Sequence, residues 1–275
     1  MESLSFEIHP VTPTIGAEIH GIDLTQPLDA ATVNALKEAW KEHLVLFFRD
    51  QSFTIETLNA FGQQMGKEHI HPADPGLPGY PGLLKIHVDK NSTGYSGAKW
   101  HSDVSCDAEP PLGSILHLYE VPATGGDTMF ANMYAVYDSL SEPMKAFLEP
   151  LTAHYGSRHN YEGYHKLTKH HLRDDPFPES DHPIVRTHPE SGKKGVFVDE
   201  TFTLSINGLE KDESDAILKM LYDRIKQPRF QCRFRWQKDS VAMWDNRCTQ
   251  HLAMWDYYPH TRSGHRYTMA GDMPY

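Results

Sequence analysis

Apolar residues recur every three to four positions in "LDAATVNALKEAWKEH", where Val33, Leu36 and Trp40 would line one side of a helix capped by Asp29. That pattern runs into residues 44–48, a short apolar run of the kind that makes a buried strand. A second helical pattern occupies "TIETLNAFGQQMG", ending near Gly66. A third occupies "EKDESDAILKMLYDRIKQP", with Ile217, Leu218, Leu221 and Ile225 on one side. "YDSLSEPMKAFLEPL" reads as a helix broken in the middle. Elsewhere the period is two, or there is none. Short strands are predicted in "FEIHPVTPTIGAEIHGIDL", around "AKWHSDVSCD", in "SILHLYEV", and after the turn "PATGGDTMF". Others fall in "HPIVRTHPESGKKGVFVDE", where "ESGKKG" signals a hairpin, and along the closing "FQCRFRWQKDSVAMWDNRCTQHLAMWDY" and "RYTMAGD". Residues 72–97, crowded with proline and glycine, and the aperiodic residues 156–182 read as two long loops. There is no repeat and no clean βαβ alternation. The pattern predicts a mixed α/β but mainly β fold: one domain over 1–275 with a jelly-roll (double-stranded β-helix) core, peripheral helices and long active-site loops.

Composition narrows the function classes. The 275 residues are 39% hydrophobic, enough for a sizeable packed core. A formal charge of −11 argues against binding nucleic acid or an anionic membrane, because both require clustered cations. No basic start followed by an apolar run marks a signal peptide, and no apolar stretch approaches a membrane span. Cys106, Cys232 and Cys248 are too few and too scattered for a disulfide framework or a zinc ribbon, so the cytoplasm is the expected compartment. "NST" at Asn91 is then read as a turn. Exposed apolar helix faces would suit a homo-oligomer, a dimer or a tetramer.

The 18 histidines are the unusual count, and spacing selects among them. On a strand, His101 and Asp103 would project from the same face with Ser102 turned away. An imidazole and a carboxylate suit a first-row divalent metal, and a third ligand from a distant strand would complete a two-histidine, one-carboxylate set. His251, after the apolar "VAMW" and the turn "DNRC", is the candidate. Arg262 follows it by eleven residues and Arg266 by four more. If "RSGHRYTM" is a strand, both guanidiniums share a face and form a receptor for carboxylate or sulfonate groups. The competing readings are a hydrogen-bonded core trio for the first three residues and ion pairs with acidic neighbours for the arginines.

Together "WHSDVS", "GGDTMF" and "WDNRCTQHLAMWDYYPHTRSGHR" resemble the taurine dioxygenase family of iron(II)/2-oxoglutarate-dependent oxygenases, which also holds alkylsulfatases and aryloxyalkanoate dioxygenases. The resemblance runs over nearly the whole chain. It implies an enzyme that uses Fe(II), 2-oxoglutarate and O2 to hydroxylate a C–H bond of a small anionic organic substrate, releasing succinate and CO2. The substrate class would be a sulfonate, sulfate ester, aryloxyalkanoate or other carboxylate, and hydroxylation could lead to spontaneous cleavage. By position, the resemblance makes His101, Asp103 and His251 the iron ligands, and gives Arg262 and Thr128 the distal carboxylate of 2-oxoglutarate. Arg266 and His71, the latter in "HIHP", would take the substrate's anionic group.

Two positions depart from the taurine enzyme. Gly97 stands near its asparagine and Asp74 replaces its tyrosine, so the anion end is kept while the far end of the substrate site is rebuilt. Phe202 and Tyr161 are candidate pocket linings, set against plain core packing. His69 is expected to pack or be solvated, and His159, His170 and His171 to be solvated. Trp100 and Trp244 are expected in the core, with Cys106 and Cys248 as small packing residues. Two readings from other classes stand beside the oxygenase: a non-catalytic jelly-roll protein that binds or senses an acid, and a metal-dependent hydrolase.

Overall fold

A computed structural model describes residues 6–93, 97–168 and 177–275. The chain opens with the antiparallel strands β1 (Glu7–Pro10) and β2 (Ala17–His20). Helix α1 (Ala30–His43) starts where the Asp29 side chain accepts the Thr32 N–H, and it buries Leu36, Ala39 and Trp40. It stops at Leu44, whose positive φ of 67° turns the chain into the fully buried β3 (Val45–Phe48). Helix α2 (Ile55–Met65) is held at its start by a reciprocal cap between Thr54 and Thr57. Strands β4 (Leu83–Val88), β5 (Gly113–Glu120) and β6 (Thr128–Asn132) follow, then the two halves of the expected broken helix, α3 (Met133–Asp138) and α4 (Glu142–Leu148). Next come β7 (Thr152–Gly156), α5 (Arg158–Thr168), β8 (Glu179–Pro183), the hairpin β9 (Val185–Thr187) and β10 (Lys194–Val196), and β11 (Thr203–Ile206). Helix α6 (Lys211–Ile225) leads into β12 (Gln231–Phe234), β13 (Ser240–Asp245), β14 (Thr249–Ala253) and β15 (Arg262–Met269).

A seven-stranded sheet, ordered β1-β2-β3-β13-β5-β15-β4, packs against a three-stranded sheet, ordered β12-β6-β14. Phe47, Leu116, Phe130, Phe234 and Trp244 fill the space between them. The Phe47 and Phe234 rings stack with centroids 4.1 Å apart. This is the expected jelly-roll core. The period-two alternation of β13 shows how one strand serves two layers: Ala242 and Trp244 face the other sheet, while Val241 and Met243 face α1 and α2. β15 behaves alike. Tyr267 and Met269 pack under the helices, which leaves Arg266 on the inner face. A third cluster joins Leu218, Leu221 and Ile225 of α6 to α3 and to a second three-stranded sheet, β11-β7-β8.

Three expectations need correction. The stretch around His101 is not a strand: His101 forms a single antiparallel bridge with His251, and the chain then turns, with φ of 47° at Val104. Residues 72–97 are not all loop, because "LLKIHV" pairs with β15 as the edge strand β4. Its proline- and glycine-rich flanks hide it in the sequence. Residues 156–182 contain α5 and most of β8; α5 carries too few apolar residues to show a helical period, and His170 and His171 lie outside the described residues. "NST" at Asn91 does form a turn, with the Asn91 N–H donating to Asp89.

Between the two arginines of β15, Gly264 pairs with Leu118 at a register shift in the ladder to β5. A Cβ there would lie 2.0 Å from the His117 carbonyl oxygen, a backbone atom with no room to retreat. Gly264→Ala is expected to cost about 1–3 kcal/mol through overpacking. Thermal melting checks this, with a lowered midpoint expected even where iron and 2-oxoglutarate are present.

Candidate active site

The bridge between residues 101 and 251 brings two imidazoles together from opposite ends of the sequence. The His101 N–H donates to the His251 carbonyl at 3.1 Å, and the His251 N–H returns a bond to the His101 carbonyl at 2.9 Å. The ring centroids lie 4.1 Å apart. His101 Nδ1 is 2.8 Å from the Lys99 carbonyl. A carbonyl only accepts, so Nδ1 carries the hydrogen and Nε2 keeps its lone pair. That Nε2 is 3.9 Å from Asp103 Oδ1, and His251 Nε2 is 3.8 Å from the same oxygen. His251 is wedged between Trp244 and Phe130, with ring centroids at 4.7 and 6.1 Å. Burial, reinforced by the neighbouring His101, pushes its pKa well below the ordinary histidine value. The ring is therefore neutral, the form that binds a metal.

Asp103 starts the turn after the bridge, and the body of the protein fixes both of its oxygens. Ser114 donates to Oδ2 at 2.7 Å, with Asn246 Nδ2 at 3.5 Å, while Arg266 Nη1 donates to Oδ1 at 2.6 Å. Burial alone would raise this carboxyl's pKa, but Arg266, His251 and His101 together hold it well below the usual carboxylate range. Two neutral imidazoles and one ionised carboxylate, all buried, form a donor set suited to a divalent first-row metal.

A second buried trio, His188, Asp245 and Cys248, is equally compact but chemically closed. His188 Nδ1 accepts from the backbone N–H groups of Glu190 and Ser191 at 3.2 and 3.1 Å. Its Nε2 therefore carries the hydrogen and donates to Asp245 Oδ2 at 3.1 Å. Arg247 occupies the same carboxylate at 2.7 Å, and burial keeps the Cys248 thiol protonated. No ring lone pair remains for an ion. Here the bland reading of a histidine trio is the right one.

Arg262 is 5% exposed and forms no ion pair among the described residues. Nε donates to the Gly126 carbonyl at 3.1 Å, Nη2 reaches Thr128 Oγ1 at 3.4 Å, and the guanidinium lies 5.5 Å from the Trp236 ring centre. Thr128 Oγ1 also accepts from Trp236 Nε1 at 3.0 Å. With two donors aimed at that oxygen, its own hydrogen is left to donate. A buried cation without a counter-ion, beside a hydroxyl with a hydrogen to give, fits a carboxylate.

The remaining predicted residues divide. His71 Nδ1 accepts from the Ala73 N–H at 3.1 Å, so Nε2 is its donor. Burial, then the Arg266 charge, pushes its pKa down to about 3. Its ring lies 5.1 Å from Tyr161, which in turn lies 5.8 Å from Phe202. Phe202 belongs to the core cluster and backs Tyr161. Gly97 accepts from the Ala253 N–H, and a Cβ there would lie 3.4 Å from His101 Cε1. Asp74 Oδ1 accepts from the Gly76 N–H at 2.8 Å and so staples its own turn. Arg266 meets the acidic neighbour that the ion-pair reading foresaw, and that neighbour is Asp103. His69, expected to pack or be solvated, is buried and bonded to Asp107 at 2.9 Å. His159 bonds to the Thr201 carbonyl. Trp100, Trp244, Cys106 and Cys248 are buried as expected. Sequence reasoning missed Ser114, Asn246 and Trp236, because each acts across more than a hundred residues of chain.

Comparison with known proteins places this geometry. A sulfate ester dioxygenase of Pseudomonas putida, named as alpha-ketoglutarate-dependent, is 34% identical over 99% of this chain and 92% of its own. Among solved structures, a taurine dioxygenase from Burkholderia xenovorans superposes with a TM-score of 0.84 at 34% identity, over 98% of this chain and 92% of that one. AAD-2, solved with Mn(II) and N-oxalylglycine, superposes with a TM-score of 0.80 at 28% identity, over 98% of both chains. The model of the taurine catabolism dioxygenase TauD, TfdA family matches residues 7–268. The chain therefore belongs to the TauD/TfdA dioxygenase family.

Proposed function

We propose that this protein is an iron(II)- and 2-oxoglutarate-dependent dioxygenase acting on a small anionic organic molecule, with sulfate esters and sulfonates as the leading class. The observation that carries the reading is the His101–Asp103–His251 trio combined with the unpaired, buried Arg262 and its Thr128 neighbour. Iron, when bound, supplies activation of dioxygen coupled to decarboxylation of 2-oxoglutarate to succinate, and one oxygen atom goes to a C–H bond of the substrate. The two imidazoles and Asp103 would hold the metal. Ser114 and Asn246 occupy Oδ2, which favours binding through Oδ1. Arg262 and Thr128 would hold the distal carboxylate of 2-oxoglutarate. Arg266 and the Nε2–H of His71 would receive the substrate anion, while Tyr161, backed by Phe202, forms an aromatic wall for the organic part. Trp244 and Phe130 keep water from the back of His251. Hydroxylation of the carbon bearing a sulfate ester gives an adduct that collapses to a carbonyl compound and inorganic sulfate.

We read residues 1–275 as one catalytic domain, working in the cytoplasm on small molecules rather than on nucleic acid or membranes. The three unpaired, buried cysteines support a reducing compartment. Among the described residues, no helix is long and apolar enough to cross a membrane. A dimer or tetramer is supported by the exposed Phe147 and Leu204. The test of function is oxygen uptake with Fe(II), ascorbate and 2-oxoglutarate, against hexyl sulfate, propanesulfonate and 2-phenoxypropionate. One succinate per product formed is expected with at least one of these acids. Product formation under argon would point instead to a hydrolase, and binding without succinate to an acid sensor.

A further inference from the structure

We propose that Arg266 couples metal binding to anion binding, by holding the carboxylate oxygen that the metal needs until an anion engages its guanidinium. The proposal rests on the trio as metal site and Arg266 as anion receptor. Asp103 Oδ1 is the oxygen that faces Nε2 of both histidines, at 3.9 and 3.8 Å. Arg266 Nη1 donates to that same oxygen at 2.6 Å, and the other oxygen is committed to Ser114. A divalent ion entering the trio must share Oδ1 with a full positive charge. Asp103 is only 3% exposed, so solvent screens little of that repulsion.

Arg266 is itself incompletely used. Its Nε is buried without a hydrogen-bond partner, and its one ion pair among the described residues is the one to Asp103. An anion arriving at the guanidinium compensates its charge and competes for its donors. Both effects return Oδ1 to the metal. By linkage, whatever factor the anion adds to metal affinity the metal adds to anion affinity. The protein thus holds its metal most firmly when the molecule to be oxidised is in place.

The test measures metal binding, not turnover. Mn(II) is titrated calorimetrically at pH 7.5, without 2-oxoglutarate, into the wild type, Arg266→Met, Arg266→Lys and His101→Ala, with and without hexyl sulfate. Arg266→Met is expected to bind Mn(II) about tenfold more tightly than wild type without the sulfate ester, a modest figure for removing a like charge so near a divalent ion. Arg266→Lys, which keeps the charge on a shorter and softer donor, falls between them. Hexyl sulfate is expected to tighten Mn(II) binding in wild type and to leave Arg266→Met unchanged. Equal or weaker Mn(II) binding by a folded Arg266→Met overturns the coupling. So does a wild type indifferent to hexyl sulfate, an arm that needs no variant to fold. Loss of Mn(II) binding in His101→Ala upholds the metal site in either case, whereas undiminished binding there overturns the site itself.

Discussion

His101→Ala is expected to lower turnover by roughly a thousandfold or more, because removing a direct ligand costs more than the 10–100-fold typical of groups one shell further out. The substitution is unusually clean. His101 is tied to His251 through backbone N–H and carbonyl groups, which alanine keeps, so the bridge and the turn behind it survive. The lost side-chain contact is one hydrogen bond to the Lys99 carbonyl. The melting midpoint should therefore move little while metal stoichiometry falls. His188→Ala is the control, because that ring is hydrogen-bonded to Asp245 and to two backbone N–H groups. It should melt at a lower temperature and retain its iron. Equal iron content in the two variants, measured by atomic absorption after desalting, would place the metal elsewhere.

The second large effect concerns the co-substrate. Arg262→Met is expected to raise the KM for 2-oxoglutarate by about a hundredfold, in keeping with the 2–5 kcal/mol typical of truncating one side of a buried charge pair. Methionine has nearly the same reach and leaves no buried cation. A guanidinium that is 5% exposed and lacks a counter-ion is a cost to the free protein. The variant should thus melt at or above the wild-type temperature without 2-oxoglutarate and lose the stabilisation that 2-oxoglutarate gives the wild type. A structural ion pair would behave oppositely, with stability falling and KM unchanged. Steady-state kinetics and thermal shift on the same preparations separate the two cases.

Much of the fold could be read because its elements announce themselves locally. The first helix, α1, has its cap, period and stop within sixteen residues of sequence, and β3 follows as an unbroken apolar run. The fifth helix, α5, does not: its hydrophobic face is too thin to set a period, and Gly163 interrupts it. The metal candidates were legible, but the geometric reason offered for them was incomplete. His101 and Asp103 do not project from one face of a strand. A single bridge and a turn orient them, and the turn depends on Val104 adopting a positive φ, which nothing about valine advertises. On β15 the same-face argument held for Arg262 and Arg266, because Tyr267 and Met269 take the other side. What could not be read were the partners. That Arg266 meets Asp103, Thr128 meets Trp236, and Asp103 leans on Ser114 and Asn246 depends on how distant strands stack.

The mutual backbone link between residues 101 and 251 bears on what happens when iron is lost to oxidation or chelation. Main-chain bonds that owe nothing to the ion hold the two rings at their stations, so the empty scaffold keeps its shape. Depletion should leave a dormant but intact apoprotein, ready to be recharged by fresh ferrous salt without refolding.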